Sequence, residues 1–324
     1  MSSLPVKAIF GGQSIGVGKA FPDAQSIERV YQLLEEGGCD TIDTSRLYGD
    51  SEEWLGKTGA PKRFTIHSNK TPGGRFVPGT STSETIPLHA KETFERLGRN
   101  PVDIYYMHAP DPGVPLEDTL KGIHLAHKAG YFHRFGLSNY TAPDIDLVYT
   151  ICQQNGYPLP SAYQGNYSAV ARKLESAVLP TLRRLHIPLY VYSPMAGGLL
   201  TKTPAQLRAG GADAGRFAQG HMLQFMYAPL YDKPVYYEAL GMWEEVAREV
   251  GCSRAESAYR WVAFDSMVDA EEGDAIVFGA SRHEHIEETL KWLKRGSVGE
   301  KAKAKLEEIW KLVENEAPLD NYNQ

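Results

Sequence analysis

Cysteine is scarce in this chain: Cys39, Cys152 and Cys252 are the only three among 324 residues, and none stands in a C-x-x-C pair. An odd, widely spaced set speaks against a disulfide framework or a zinc knuckle and predicts a reducing compartment. Long apolar runs are missing too. No stretch approaches the ~18 apolar residues of a membrane span, and residues 1–7 show no basic segment followed by an apolar core. Neither an anchor nor a secretory leader is expected, and a cytoplasmic location is. Nor is positive charge in excess: 34 Lys and Arg against 40 Asp and Glu leave a net charge of -6. No segment of unrelieved Lys and Arg is there to line a nucleic-acid groove. The most basic stretch, residues 291–305, alternates with glutamate and reads as a solvated helix face.

What the chain does have is enough apolar matter for a large core, 42% hydrophobic and 10% aromatic residues, arranged in a repeating order. Short β-branched runs at 6–10, 40–43, 64–68, 102–107, 132–137, 161–164, 189–192 and 275–278 are each followed by a longer helical pattern. That alternation predicts βαβ units and a parallel sheet, and eight units close a barrel. Helices are expected at 25–36, 83–97, 116–129, 142–155, 175–185, 236–249 and 284–294, several with start and stop signals such as Pro115 before Leu116 and Gly130 after Ala129. The expectation is a single (β/α)8 TIM barrel domain over residues 1–324. It carries a long loop, 196–234, after the seventh strand, an extra C-terminal helix at 299–314 and a tail. The long loop is rich in aromatics, which suits a pocket wall.

Four residues with chemistry stand at the ends of three consecutive strand-like runs, where α/β barrels keep their active sites. The second run ends in Asp43, with Tyr48 in the polar turn that follows. The third leads into Lys70, and the fourth ends in His108. Taken one at a time each has an ordinary structural explanation. Together they form a usable set: a phenol with an ordinary pKa of about 10 can serve as a general acid near neutrality only beside a cation that lowers it. Lys70 would be that cation, Asp43 would keep it charged, and His108 would hydrogen-bond a carbonyl oxygen.

In this set and order the chain resembles the aldo-keto reductases, whose tetrad is Asp, Tyr, Lys, His. Further segments agree: Gly136-Leu137-Ser138-Asn139-Tyr140, Tyr163-Gln164-Gly165-Asn166-Tyr167, Tyr192-Ser193-Pro194-Met195-Ala196-Gly197-Gly198-Leu199-Leu200 and Phe278-Gly279-Ala280-Ser281-Arg282. The likeness runs over nearly the whole chain. It is greatest to the aflatoxin-aldehyde reductase branch, through Met107-His108-Ala109-Pro110-Asp111 and Ala196-Gly197-Gly198-Leu199-Leu200. It implies a carbonyl reductase in which Asp43, Tyr48, Lys70 and His108 are catalytic. Monomers and dimers both occur in the family, so a homodimer lies within what the likeness allows.

A hydride must come from a cofactor, since no side chain supplies one. The glycine run 11–18 lacks the G-x-G-x-x-G spacing of a dinucleotide fold, whereas barrels bind phosphates near their seventh and eighth loops. The resemblance implies NADPH. Ser138, Asn139 and Gln164 would hold the carboxamide and Tyr192 would stack on the nicotinamide. Ser193, Pro194, Gly197, Leu199, Lys202 and Gly279 would line the cofactor's path, with Ser281, Arg282, His285 and Glu288 at its adenosine end. Ser281 and Arg282 would take the 2′-phosphate. His285 and Thr289 replace the family's usual Gln and Asn, and Lys202-Thr203-Pro204 replaces Gly-Lys-Tyr. The histidine pairs 124/127 and 283/285 have no third ligand nearby, so no metal is expected. For the substrate, Phe217, Phe225, Tyr227 and Tyr231 in the long loop, with no arginine from Leu223 to Tyr237, predict a neutral, apolar or aromatic carbonyl compound. Two other readings stay open here. One is an NADPH-binding regulatory subunit of the same fold, and the other a barrel aldolase or hydrolase with Lys70 as Schiff base.

Overall fold

The apolar runs become strands because both of their faces end up covered, the condition under which parallel strands lose polar alternation. The computed structural model describes residues 4–69 and 77–322. Eight strands, β1 (Lys7–Gly11), β2 (Thr41–Asp43), β3 (Thr65–Asn69), β4 (Val102–Met107), β5 (Phe132–Ser138), β6 (Pro160–Asn166), β7 (Leu189–Tyr192) and β8 (Ala275–Phe278), pair in sequence order. All pairs are parallel, and β8 returns to β1 to close the barrel. The expected (β/α)8 barrel is therefore present, each strand lying within two or three residues of its predicted place.

Two apolar clusters follow from this closure. A small one fills the barrel interior: Ile9, Ile104, Tyr106, Ala162, Tyr190, Ala275 and Val277, with Tyr192 packed on it from above. The larger one lies between the sheet and the surrounding helices. At the N-terminal end of the strands, Arg134 pairs with Asp103, and the buried His67 ring sits 3.3 Å from the same carboxylate. The interior is thus packed rather than open, and ligand chemistry is left to the other end.

Local chemistry explains the helix limits. Asp23 and Thr141 each form a reciprocal capping box with the residue three positions on, and Gly38 and Gly156 stop the same helices, Ala24–Gly37 and Ala142–Asn155, in left-handed conformations. Two expectations need correction. The helix read at 175–185 is two, Leu174–Ala177 and Leu179–Arg184, because Pro180 has no N–H and its ring collides with the preceding turn. The long loop is largely helical turns: Ala196–Thr201, Pro204–Ala209, Ala212–Phe217 and Gln224–Tyr231. The helix expected at 236–249 is present as Pro234–Val250, and it packs against the C-terminal helix Glu300–Val313. Arg254–Phe264, which buries Ala258, Tyr259, Trp261 and Val262, lies beside His283–Trp292. It starts where the Ser253 hydroxyl accepts from the Glu256 amide.

The tail is docked. Lys233 holds the Glu316 carbonyl at 2.8 Å, Ala317 and Asp320 are buried, and the Tyr322 hydroxyl donates to the Pro110 carbonyl at 3.0 Å, just past β4. No helix among the described residues is long and apolar enough to cross a membrane.

Candidate active site

Asp43 is the last residue of β2 and is buried. Its Oδ1 accepts from Gln164 Nε2 at 3.1 Å, a bond that crosses the barrel mouth from β6. Burial pushes the carboxyl up to about 7, and the Gln164 bond opposes that rise. The turn after Asp43 is fixed from both ends. Thr44 N donates to the His67 carbonyl and Thr44 Oγ1 lies 3.0 Å from Ser51 Oγ, which donates to the Gly12 carbonyl at 2.9 Å. Between these anchors Tyr48 is half-buried. Burial and then the nearby Asp43 carboxylate and Tyr227 hold its phenol above the ordinary tyrosine value, while the Arg216 guanidinium acts in the opposite sense. Asp43, Tyr48, Tyr227 and Arg216 therefore share one electrostatic neighbourhood. Lys70 lies outside the described residues. His108 follows β4 and is half-buried, its carbonyl receiving Asn139 Nδ2 at 2.8 Å.

The ends of β5 to β7 supply amides and a ring. Ser138 and Asn139 are buried, and Asn139 takes a left-handed conformation (φ 60°) that asparagine tolerates better than most residues. Its Oδ1 accepts from the Tyr192 hydroxyl at 3.3 Å, so Tyr192, Asn139 and His108 form a continuous chain. Ser193 also has positive φ, and Pro194 is buried beside it.

Beyond β7 the backbone turns sharply through Ala196, Gly197 and Gly198, all with positive φ, before the buried Leu199 and the half-buried Lys202. Arg254 Nη1 donates to the Lys202 carbonyl at 2.7 Å. Beyond β8, Gly279 faces open space, and Ser281 and Arg282 are exposed at the start of His283–Trp292, whose N-cap has no side-chain bond. Arg282 Nη2 lies 2.6 Å from His285 Nε2, and Ser281 Oγ 3.4 Å from His285 Nδ1. Glu288 is exposed on the same helix. Uncapped helix amides next to a serine and an arginine suit a phosphate. The residues present at the β8 loop thus fit a phosphate group of a cofactor.

The aromatic wall divides. Phe217, Tyr227 and Tyr231 are buried, with Phe217 and Tyr227 6.1 Å apart between ring centroids, and Tyr231 receives Asn166 Nδ2 at 3.2 Å. Phe225, expected beside them, is 70% exposed. Sequence reasoning passed over two residues at this end of the barrel. Arg216 donates to the Tyr227 hydroxyl at 3.0 Å with its guanidinium over the ring. Asp320, from the tail, raises the pKa of Tyr192 and Tyr163, second only to burial. No motif marks Asp320. Arg216 had one signal, its place between Gly215 and Phe217 in the aromatic loop.

A closed (β/α)8 barrel whose mouth gathers a near-neutral carboxyl, a phenol and a strand-end histidine is built like an enzyme that moves a proton to or from an oxygen. A model of the aldo/keto reductase family matches residues 7–311, and the chain belongs to that family. It is 36% identical over 315 residues to oxidoreductase sirO of Leptosphaeria maculans, covering 96% of this chain and 94% of that protein. It is 31% identical over 322 residues to aflatoxin B1 aldehyde reductase member 4 of Homo sapiens, covering 96% and 95%. An aldo-keto reductase of Pseudocercospora fijiensis is 32% identical over 291 residues, covering 88% and 98%. The family reduces carbonyl groups and generally uses nicotinamide cofactors, so the chain is an oxidoreductase of that kind.

Proposed function

We propose that this protein reduces neutral, apolar or aromatic aldehydes or ketones to alcohols with NADPH, and that Tyr48 donates the proton. The observation that carries the reading is the shared neighbourhood of Tyr48, Asp43 and Arg216 at the barrel mouth. When bound, NADPH supplies the hydride. Tyr48 Oη gives its proton to the carbonyl oxygen as that oxygen gains charge, and the phenolate is reprotonated afterwards. A buried phenol beside a carboxyl is a weak acid, so a cation has to lower its pKa. That part goes to Lys70, with Arg216 acting in the same sense. His108 orients the carbonyl oxygen through an N–H.

Ser138, Asn139 and Gln164 hold the carboxamide, Tyr192 lies against the nicotinamide, and Ser281, Arg282 and His285 receive the 2′-phosphate. An arginine at that position favours NADPH over NADH. The substrate class rests on the buried Phe217, Tyr227 and Tyr231 and on the absence of arginine from Leu223 to Tyr237. The name of the human relative, an aldehyde reductase acting on aflatoxin B1 aldehyde, agrees with a large aromatic carbonyl compound.

The test is NADPH oxidation with aromatic, aliphatic and carboxylated aldehydes, with wild type beside Tyr48→Phe. Turnover by wild type, lost in Y48F while NADPH still binds, supports the reading. Faster turnover of a small aldehyde acid than of its uncharged analogue overturns the substrate class. Tight NADPH binding with no aldehyde reduced by wild type moves the protein to a regulatory role.

A further inference from the structure

We propose that Lys19 is a positioning residue for the proton donor: its ammonium ties the main chain of Tyr48 to the β1 loop and so sets where the phenol stands. The proposal rests on the reading of Tyr48 given above. Lys19 is half-buried in the tight turn that follows β1, and its Nζ donates to two carbonyls, that of Ile15 at 3.0 Å and that of Tyr48 itself. Burial lowers the lysine's pKa, and Asp50, which stands across this contact, opposes that fall. The Asp50 carboxylate is placed in turn by Val17 N at 3.1 Å and Trp54 Nε1 at 3.0 Å, both on Oδ2.

The turn bearing Lys19 is itself rooted. Ile15 and Phe21 are buried and bridge each other, and Gly16 N and Phe21 N bond across the turn to Phe21 O and Ser14 O. Gly16, at φ 128°, leaves the space that Asp50 fills, for a Cβ there would meet Asp50 Oδ1 at 2.0 Å. Below Tyr48 the chain is held by the Thr44, Ser51 and Gly12 contacts; above it, at the rim, by Lys19 and Asp50. A charged donor shared between two carbonyls is stronger than a neutral hydrogen bond, and here it acts on the main chain of the residue that donates the proton.

Lys19→Met removes the donor and keeps the stem, Lys19→Arg restores a charged donor, and Asp50→Asn removes the opposing charge. Amide hydrogen exchange over residues 45–51 should rise in K19M and return toward wild type in K19R, with D50N between them. The kcat should fall on the order of tenfold or more in K19M, while KM for the carbonyl and Kd for NADPH stay within about twofold, and K19R recovers most of the rate. Unchanged exchange in K19M overturns the clamp. Raised exchange with unchanged kcat overturns its role in catalysis, and a loss expressed in Kd or KM means that Lys19 touches a ligand instead. If wild type reduces no carbonyl compound, the functional reading fails, and the exchange measurement still decides whether Lys19 holds residues 45–51.

Discussion

Gln164 Nε2 and Asp43 Oδ1 meet at 3.1 Å although 121 positions separate them in the chain. The bond exists because β2 and β6 both end at the barrel mouth, and it is the only hydrogen bond drawn to that carboxyl among the described residues. An N–H donated to a carboxylate favours the charged form, so Gln164 restrains the upward push of burial on Asp43. Gln164→Leu should raise the Asp43 value further. The acidic limb of the pH–kcat profile, measured at saturating NADPH, should then move to higher pH by roughly 0.5–1 unit. A limb that stays in place would mean that another group sets it.

Asp43 also ties function to stability. Its folded value of about 7 lies above the ordinary 3.8, so the native state holds this proton more tightly than the unfolded chain. The advantage is full below about pH 4 and is lost as pH rises toward about 7; above that the buried carboxylate is a constant cost. Asp43→Asn should therefore raise stability at pH 8 by on the order of 1–3 kcal/mol and leave it nearly unchanged at pH 4. Denaturant melts at the two pH values check this, and the same variant should lose most of its reductase activity.

His285 should make cofactor choice depend on pH. Burial and then Arg282 lower its pKa from the ordinary 6.5, and an arginine N–H aimed at its Nε2 requires a neutral ring there. A 2′-phosphate placed between them would reverse the preference and favour the protonated imidazole. NADPH affinity should weaken as pH rises from about 6.5 to 8, by at most about tenfold per unit, with NADH affinity flat. In His285→Gln the slope should vanish. Fluorescence titration of both dinucleotides across that range reads the effect.

The barrel was legible because parallel strands covered on both faces leave unbroken apolar runs, and residues such as Asp43 and His108 sit directly where those runs stop. What escaped is what strand ends cannot encode. Phe225 and Tyr227 look alike as loop aromatics, yet on the helix Gln224–Tyr231 residues 227 and 231 share one face while 225, two positions away, turns outward. Reading that segment as a loop hid the distinction. Arg254–Phe264 escaped because its predecessor Pro234–Val250 already filled the place of a barrel helix, although Ser253 and Glu256 carried a start signal. The docking of Asp320 depends on where the last helix ends relative to β4, which no local pattern records.

Gly197 lets Tyr227 stand where it does. Its φ of 68° is left-handed, and a Cβ there would lie 2.3 Å from two carbons of the Tyr227 ring; Gly198, at φ 101°, has nothing within 4 Å. Alanine at either position meets backbone strain of about 1–2 kcal/mol, but only at 197 does it also drive an aromatic ring out of place. The Tyr227 hydroxyl would then leave Arg216 Nη1, now 3.0 Å away, and the guanidinium that opposes the rise in the Tyr48 pKa would lose its seat. Gly197→Ala should accordingly melt below Gly198→Ala, with a further loss of about 1–3 kcal/mol from overpacking. It should also raise KM for aromatic carbonyl compounds and lower kcat, effects that G198A shares only weakly. Equal melting and equal kinetics in the two variants would show that the Tyr227 ring yields freely and that its position does not shape the site.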